Sequence, residues 1–333
     1  MARVAVLAGG PSSEHEVSLL SSRCLAGWLR EAGHQVRLVL IGRDERWHLG
    51  APGADLDAAG EAAGQQAAAA LEQLAAARET AFLGLHGPYG EDGTVQRLLQ
   101  DAGVPFTGSG PQASAICMDK ELSKLAAQRL GGRCAGHQLV GGLNPPLIRI
   151  ARTVGYPCFV KPLSCGSSVG AGRVDDEAGL TPAVAAAQAA DPHAKALVEE
   201  FIPGLEATCA VLRLEGQARA MPLVSIHPGE DFYDYRAKYE SEQTVLTCPA
   251  ALAPEVTESI QRLALAMYES LELRGAARLD VILREHDGQP VFLELNTLPG
   301  FTDHSLVPLA CRAAGLPPVQ VVQAILDDAN PPL

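Results

Sequence analysis

Lysine is scarce in this chain of 333 residues: of 26 basic residues only five are lysine, at positions 120, 124, 161, 195 and 238. Positive charge as a whole is in deficit, with a formal net charge of −13. That argues against a general nucleic-acid-binding surface, which needs a basic face. It does not exclude an anionic substrate, because a cleft on an acidic protein can be locally positive. No apolar run approaches the roughly 18 residues of a membrane span. The first apolar run, Val4–Ala8, falls short of the roughly 7–15 residues of a signal-peptide core and reads as a strand. The eight cysteines contain no Cys-x-x-Cys pair. That argues against a zinc or redox motif, and scattered thiols fit a reducing cytoplasm. Glycine (33) and proline (23) are too few for a disordered or collagen-like chain. What remains is ordinary globular material, 47% hydrophobic and 20% charged, long enough for two or three domains.

The local patterns predict an α/β protein. Val4–Ala8 is a strand, and Ser12 or Ser13 can cap a helix that runs to about Glu31. Val36–Ile41 and Ala81–Leu85 are further strands. The Ala- and Gln-rich stretch 51–79 reads as a loop and a surface helix. This alternation indicates a parallel layer over the first hundred residues. Further on, the pattern predicts a helix over Gln112–Leu130 and strands at Cys158–Lys161, Ala196–Phe201 and Ala207–Leu214. It then predicts a helix at Pro254–Leu271 and a hairpin of Ala277–Glu285 with Gln289–Asn296. The expected divisions are 1–107, 108–203 and 204–333.

Four constellations carry chemistry. In the first, Lys161 ends a strand and the small-residue loop Gly166-Ser167-Ser168-Val169-Gly170 follows. Such a loop turns backbone N–H groups toward phosphate oxygens while the lysine adds a point charge. Alone, such a loop is more often a plain turn. It is neither a Walker A loop nor a dinucleotide fingerprint. The second is the C-terminal hairpin. A three-residue turn with Gly288 left-handed sets Asp280 opposite Glu294 and Arg278 opposite Asn296, all on one face. Two carboxylates and an amide make a hard oxygen site suited to Mg²⁺, and an arginine beside it suits an oxyanion or phosphate. A structural ion-pair cluster is the alternative. The third is Glu199-Glu200-Phe201-Ile202 with Pro203, Gly204 and Glu206. A nucleotide site would use the first four for an adenine edge and Glu206 for ribose, whereas a solvated acidic strand end would need no ligand. The fourth, Pro228–Thr244, holds Phe232, Tyr233, Tyr235, Lys238 and Tyr239, a composition suited to a mobile lid or a surface loop.

Together, and in order, these segments resemble the D-alanine–D-alanine ligases of the ATP-grasp superfamily. The resemblance also takes in Gly9-Gly10 with Ser13–Leu19, His86–Gly93, Gly108-Ser109-Gly110 and Met118-Asp119-Lys120. It closes with Arg278-Leu279-Asp280, Glu294–Thr302 and Ser305-Leu306. It implies a three-domain ATP-grasp fold with an N-terminal parallel-sheet, Rossmann-like domain.

The resemblance also implies roles. Lys120, Lys161 and Lys238 would hold ATP phosphates beneath the Ser167–Ser168 loop, and Glu199, Glu200, Phe201, Ile202 and Glu206 would hold the nucleoside. Asp280, Glu294 and Asn296 would bind two Mg²⁺ ions, or Mn²⁺ in their place. Glu14 would hold the ammonium of the first D-alanine and tie the lid closed with Ser167 and Tyr239. Arg278 and the Gly300 N–H would form the oxyanion hole. Ser305 and Leu306 would receive the second carboxylate, and His86 would stand near the first substrate. A cytoplasmic homodimer serving peptidoglycan synthesis is implied. Lys238-Tyr239 favours an amine as second substrate, while D-serine, D-lactate or a secondary-metabolite amino acid remain alternatives. Lys124, one helical turn after Lys120, reads as a surface charge.

Overall fold

The computed structural model describes residues 1–142, 146–166, 169–227 and 244–331. Among them the strands form three sheets that follow one another along the chain.

The first sheet holds β1 (Arg3–Gly9), β2 (Gln35–Ile41), β3 (Trp47–Leu49) and β4 (Thr80–Leu83), in the order β3-β2-β1-β4. β1 runs parallel to β2 and β4, and β3 is an antiparallel edge. Val4 to Ala8 are wholly buried, which explains their unbroken apolar run: both faces of β1 are covered. The helix His15–Glu31 packs on one face. The Ala-rich stretch supplies a helix at Ala67–Ala76 whose Ala70, Leu71 and Leu74 are buried on the other.

The second sheet holds β5 (His137–Val140), β6 (Cys158–Pro162), β7 (Gly172–Val174) and β8 (Ala196–Glu200), antiparallel in the order β5-β8-β6-β7. Its core face carries Cys158, Val160 and Val198 against the helix Glu177–Ala190. Phe159, Lys161 and Glu199 therefore share the opposite face, since Phe159 pairs with Glu199 and side chains alternate.

The third sheet is antiparallel. It holds β9 (Gly204–Leu214), β10 (Gln217–Ala220), β11 (Val224–His227), β12 (Val245–Thr247), β13 (Ala276–Arg284) and β14 (Pro290–Asn296). Cys209, Val211, Leu279, Val281 and Phe292 form its core with the helix Pro254–Ser270. The helices Leu306–Ala313 and Pro318–Asp327 join its other face to the first sheet in one continuous core. Among the described residues no single helix is long and apolar enough to cross a membrane.

Two local features depart from expectation. The helix expected over 112–130 is two, Pro111–Met118 and Lys120–Arg129. Asp119 is extended between them, and its carboxylate accepts from the N–H groups of Glu121 and Leu122. An Asp that can cap a helix start competes with continuing the helix. The break makes Lys120 the first residue of the new helix.

The second departure is the β13–β14 turn. Arg284 N–H donates to the Gln289 carbonyl, so four residues, not three, form the loop, with Gly288 at φ +66°. Near the turn Leu283 pairs with Pro290 and Val281 with Phe292, one position off the expected register. A β-bulge at Leu293, between the Val281–Phe292 and Asp280–Glu294 pairs, restores it. The longer turn and the bulge cancel at the site. The bulge also moves Phe292 from the expected site face into the core, while Leu293 lines the cavity.

Candidate active site

A cavity of about 320 Å³ opens between the second and third sheets. That is within the ordinary range for small-molecule pockets. One wall comes from β6 and β8, with Lys161 and the run Glu199–Gly204. The other comes from β9, β13 and β14, with Glu206, Arg278, Asp280 and Glu294. Lys120 and Leu306 complete it.

The hairpin brings four expected residues together. Arg278 pairs with Asn296 and Asp280 with Glu294 across the strands. Arg278 grips Asp280 with two parallel bonds, Nε to Oδ1 at 2.8 Å and Nη2 to Oδ2 at 2.7 Å. Asn296 Nδ2 donates to Asp280 Oδ2 at 3.2 Å. Lys120 Nζ lies 3.8 Å from Glu294 Oε2 and donates to the Cys165 carbonyl at 2.6 Å. Burial lowers the Lys120 ammonium from its ordinary range, and Lys161 adds to this while Glu294 opposes it. The donor set fits Mg²⁺: two carboxylates and an amide on neighbouring strands are the hard oxygen ligands it takes. Among the described residues no group of three His, Cys, Asp or Glu side chains is placed to hold a metal. Asp280 and Glu294 therefore need the amide of Asn296, and phosphate oxygens, to complete a coordination sphere.

Glu199 and Lys124 overturn two bland readings. Lys124 is no surface charge: its side chain is 0% exposed and its Nζ lies 2.9 Å from Glu199 Oε2. Glu199 is no solvated strand end, because its carboxylate also pairs with Lys161. Burial alone would raise the Glu199 carboxyl, but Lys161 and Lys124 hold it down at about 2. The side chain of Glu199 thus anchors Lys161 at the edge of the cavity. Phe201 is capped by Arg173, whose guanidinium stands 4.7 Å from the ring centre.

On the other side of Arg278 lies a second group of expected residues. Glu14 and His86 are buried. Glu14 packs so closely on the small-residue loop that a Cβ added at Gly166 would lie 2.7 Å from its Oε2. His86 Nδ1 lies 2.9 Å from the Leu298 carbonyl, and its Nε2 lies 3.0 Å from Ser21 Oγ. A carbonyl only accepts, so Nδ1 carries the proton and Nε2 accepts from the serine. Burial lowers the imidazole's pKa, with Glu14 opposing, which keeps it neutral. The two ring nitrogens are thus engaged by the protein.

Sequence reasoning gave Glu91 and Ser21 no role. Glu91 is buried, and its carboxylate accepts from the N–H groups of Gly87 at 2.8 Å and Leu298 at 3.1 Å. Burial beside Glu14 pushes it up to about 8, against the pull of those two N–H groups. A second acid within a short Gly-rich loop after a strand was the available signal. Ser305 occupies the N-terminal cap position of the helix Leu306–Ala313 without bonding to its N–H groups; its Oγ instead bonds to the Thr302 N–H and hydroxyl at 2.9 and 2.8 Å. Ser167, Ser168, Lys238 and Tyr239 lie outside the described residues, as does most of the expected lid.

The comparisons agree with this layout. Residues 3–109 match the family model described as D-ala D-ala ligase N-terminus, and residues 144–327 match the one described as D-ala D-ala ligase C-terminus. A D-alanine–D-alanine ligase of Stutzerimonas stutzeri is 40% identical over 98% of this chain and 94% of its own length. One of Cupriavidus necator is 37% identical over 99% of this chain and 94% of its own. Among solved structures, the VanG D-Ala:D-Ser ligase of Enterococcus faecalis superposes with a TM-score of 0.81 at 26% identity, covering 98% of each chain. The D-alanine-D-alanine ligase of Coxiella burnetii gives 0.77 at 25% identity, covering 98% of this chain and 95% of its own. With its three sheets in the ATP-grasp arrangement and family matches over most of its length, the chain belongs to the D-alanine–D-alanine ligase family.

Proposed function

We propose that this chain joins two D-alanine molecules into D-alanyl-D-alanine at the expense of ATP, for peptidoglycan precursor synthesis. The observation that carries the reading is the cavity wall on which Arg278, Asp280 and Glu294, with Asn296 bonded to Asp280, face Lys120 and Lys161. Relatives at 37–40% identity bear the matching name.

A carboxylate is a poor electrophile, so the first D-alanine takes the γ-phosphoryl group of ATP on a carboxylate oxygen, and ADP leaves. The amine of the second D-alanine then adds to the acyl-phosphate carbonyl. The tetrahedral oxyanion collapses, expelling phosphate, and the nitrogen loses a proton. Each turnover yields one dipeptide, one ADP and one phosphate.

The residues divide this work. Lys120, Lys161 and Lys238 hold phosphates, with Ser168 in the loop above them. The Glu199–Ile202 strand end presents the adenine edge, and Glu206, which pairs with Ile282 inside the cavity, takes the ribose hydroxyls. Asp280, Glu294 and Asn296 would hold two Mg²⁺ ions, or Mn²⁺, which would supply neutralisation of the phosphate charge. Glu14 holds the first ammonium and joins Ser167 and Tyr239 in closing the lid, which keeps water from the acyl phosphate. Arg278 and the Gly300 N–H stabilise the oxyanion. Ser305 and the Leu306 N–H, at a helix N-terminus, receive the second carboxylate. The protein acts as a cytoplasmic homodimer, where its ATP is.

The test is a substrate panel with ATP and Mg²⁺, pairing D-alanine with itself, D-serine or D-lactate, scored by product mass. D-alanyl-D-alanine should dominate. No dipeptide at millimolar D-alanine would overturn the reading, and a preference for D-serine or D-lactate would move the chain to another branch of its family.

A further inference from the structure

The loop that carries Gly300 is held at both ends by side chains from the N-terminal sheet unit. At its start, both polar groups of the Leu298 peptide are taken. Glu91 Oε1 accepts the Leu298 N–H at 3.1 Å, and His86 Nδ1 donates to the Leu298 carbonyl at 2.9 Å. At its end, Ser21 Oγ accepts the Phe301 N–H at 3.3 Å. The same serine donates to His86 Nε2 at 3.0 Å, which closes the set into one network. Glu91 ties the backbones of two loops together with one group, since its other oxygen accepts the Gly87 N–H at 2.8 Å.

We infer that Glu91 is a positioning residue for the ligation step: with His86 and Ser21 it sets the 298–301 loop so that the Gly300 N–H meets the developing oxyanion. This rests on the reading of Gly300 as an oxyanion donor. A buried carboxyl group is costly, and packing alone would be served by an apolar side chain. What a carboxyl group offers is two oxygens on one rigid plane, each with a lone pair for a backbone N–H from a different loop. A glutamine of the same size turns one of those acceptors into an amide donor facing an N–H. An oxyanion donor works only if it stands at hydrogen-bond distance from where the charge develops. A displacement of about 1 Å costs on the order of 100-fold in rate.

The experiment compares Glu91→Gln and Ser21→Ala with the wild type in the full chain. It measures kcat for dipeptide, KM for ATP, the melting temperature, and ADP released per dipeptide formed. In each variant kcat should fall while KM for ATP is unchanged, because the phosphate-binding wall is untouched. The ratio of ADP to dipeptide should rise above one, because the acyl phosphate still forms but water takes it, returning D-alanine and phosphate. That ratio is what a merely structural residue would not move. Should Glu91→Gln fail to fold, Ser21→Ala carries the test by itself. A ratio of one in the folded variants, with activity either unchanged or lost in step with melting temperature, overturns the inference and leaves the ligase reading standing. A wild type that makes no dipeptide strikes the ligase reading first, and this inference with it.

Discussion

Lys124 Nζ stands 2.9 Å from Glu199 Oε2, and the two side chains are 0% and 5% exposed. Glu199 in turn pairs with Lys161 on the next strand. Two cations therefore share one buried carboxylate, and one of them, Lys161, lines the cavity. Lys124→Met removes a buried partner and leaves Glu199 with Lys161 alone. Breaking a buried pair costs about 3–5 kcal/mol, so the urea midpoint should fall clearly. KM for ATP should rise as well, since the whole charge of Glu199 then bears on Lys161. A variant with both quantities unchanged would show that the pair does not act as described.

The same carboxylate should leave a signature in acid. Its folded-state pKa, about 2, lies below the ordinary value of 4.5. A depressed carboxyl stabilises the fold above the unfolded value, and that contribution fades as pH falls from 4.5 towards 2. The stability difference between the wild type and Glu199→Gln should therefore shrink steadily across that window. Unfolding curves at several pH values measure it, and a constant difference would contradict the assignment.

Arg278 grips Asp280 through two bonds, and the proposed mechanism uses it as an oxyanion donor. Arg278→Met should lower kcat by about 10²–10³, the usual cost of losing one oxyanion donor. Asp280→Ala and Glu294→Ala should abolish turnover with folding intact, and excess Mg²⁺ should not rescue it. Combined with Arg278→Met they should show no additive loss, because the residues act as a unit. Retained turnover in either alanine variant would mean that the metal site is misplaced.

Gly166 tests the proposed role of Glu14 without touching charge. A methyl group there would lie 2.7 Å from Glu14 Oε2, so the carboxylate must move. Gly166→Ala should raise KM for D-alanine while leaving the melting temperature near that of the wild type. An unaltered KM would separate Glu14 from ammonium binding.

Much of the site was legible in the sequence because strand alternation is a local rule. Once β13 and β14 were read as a hairpin, Arg278, Asp280, Glu294 and Asn296 had to share a face. The pairing was right for a reason only partly understood from the pattern. The turn is one residue longer than expected, and the bulge at Leu293 takes up the difference. Bulges depend on packing on both sides of a sheet, and no local residue announces this one. The break at Asp119 was missed for a similar reason. An aspartate inside an apolar helical pattern reads as a surface residue until its carboxylate is seen capping the next helix.

By itself the sequence determined the class of the protein, several of its main strands and the family to which it belongs, because short motifs and periodicity are properties of neighbouring residues. The resemblance carried by its motifs implied Lys120 and Lys161 as phosphate ligands. The tertiary structure decided what depends on distant partners. It made Lys124 a buried counter-ion, since burial of a charge is tolerable only where a carboxylate from another strand meets it. It also brought Glu91, His86 and Ser21 to the loop at Leu298–Phe301, because that contact exists only once the first and third sheets have packed into one core.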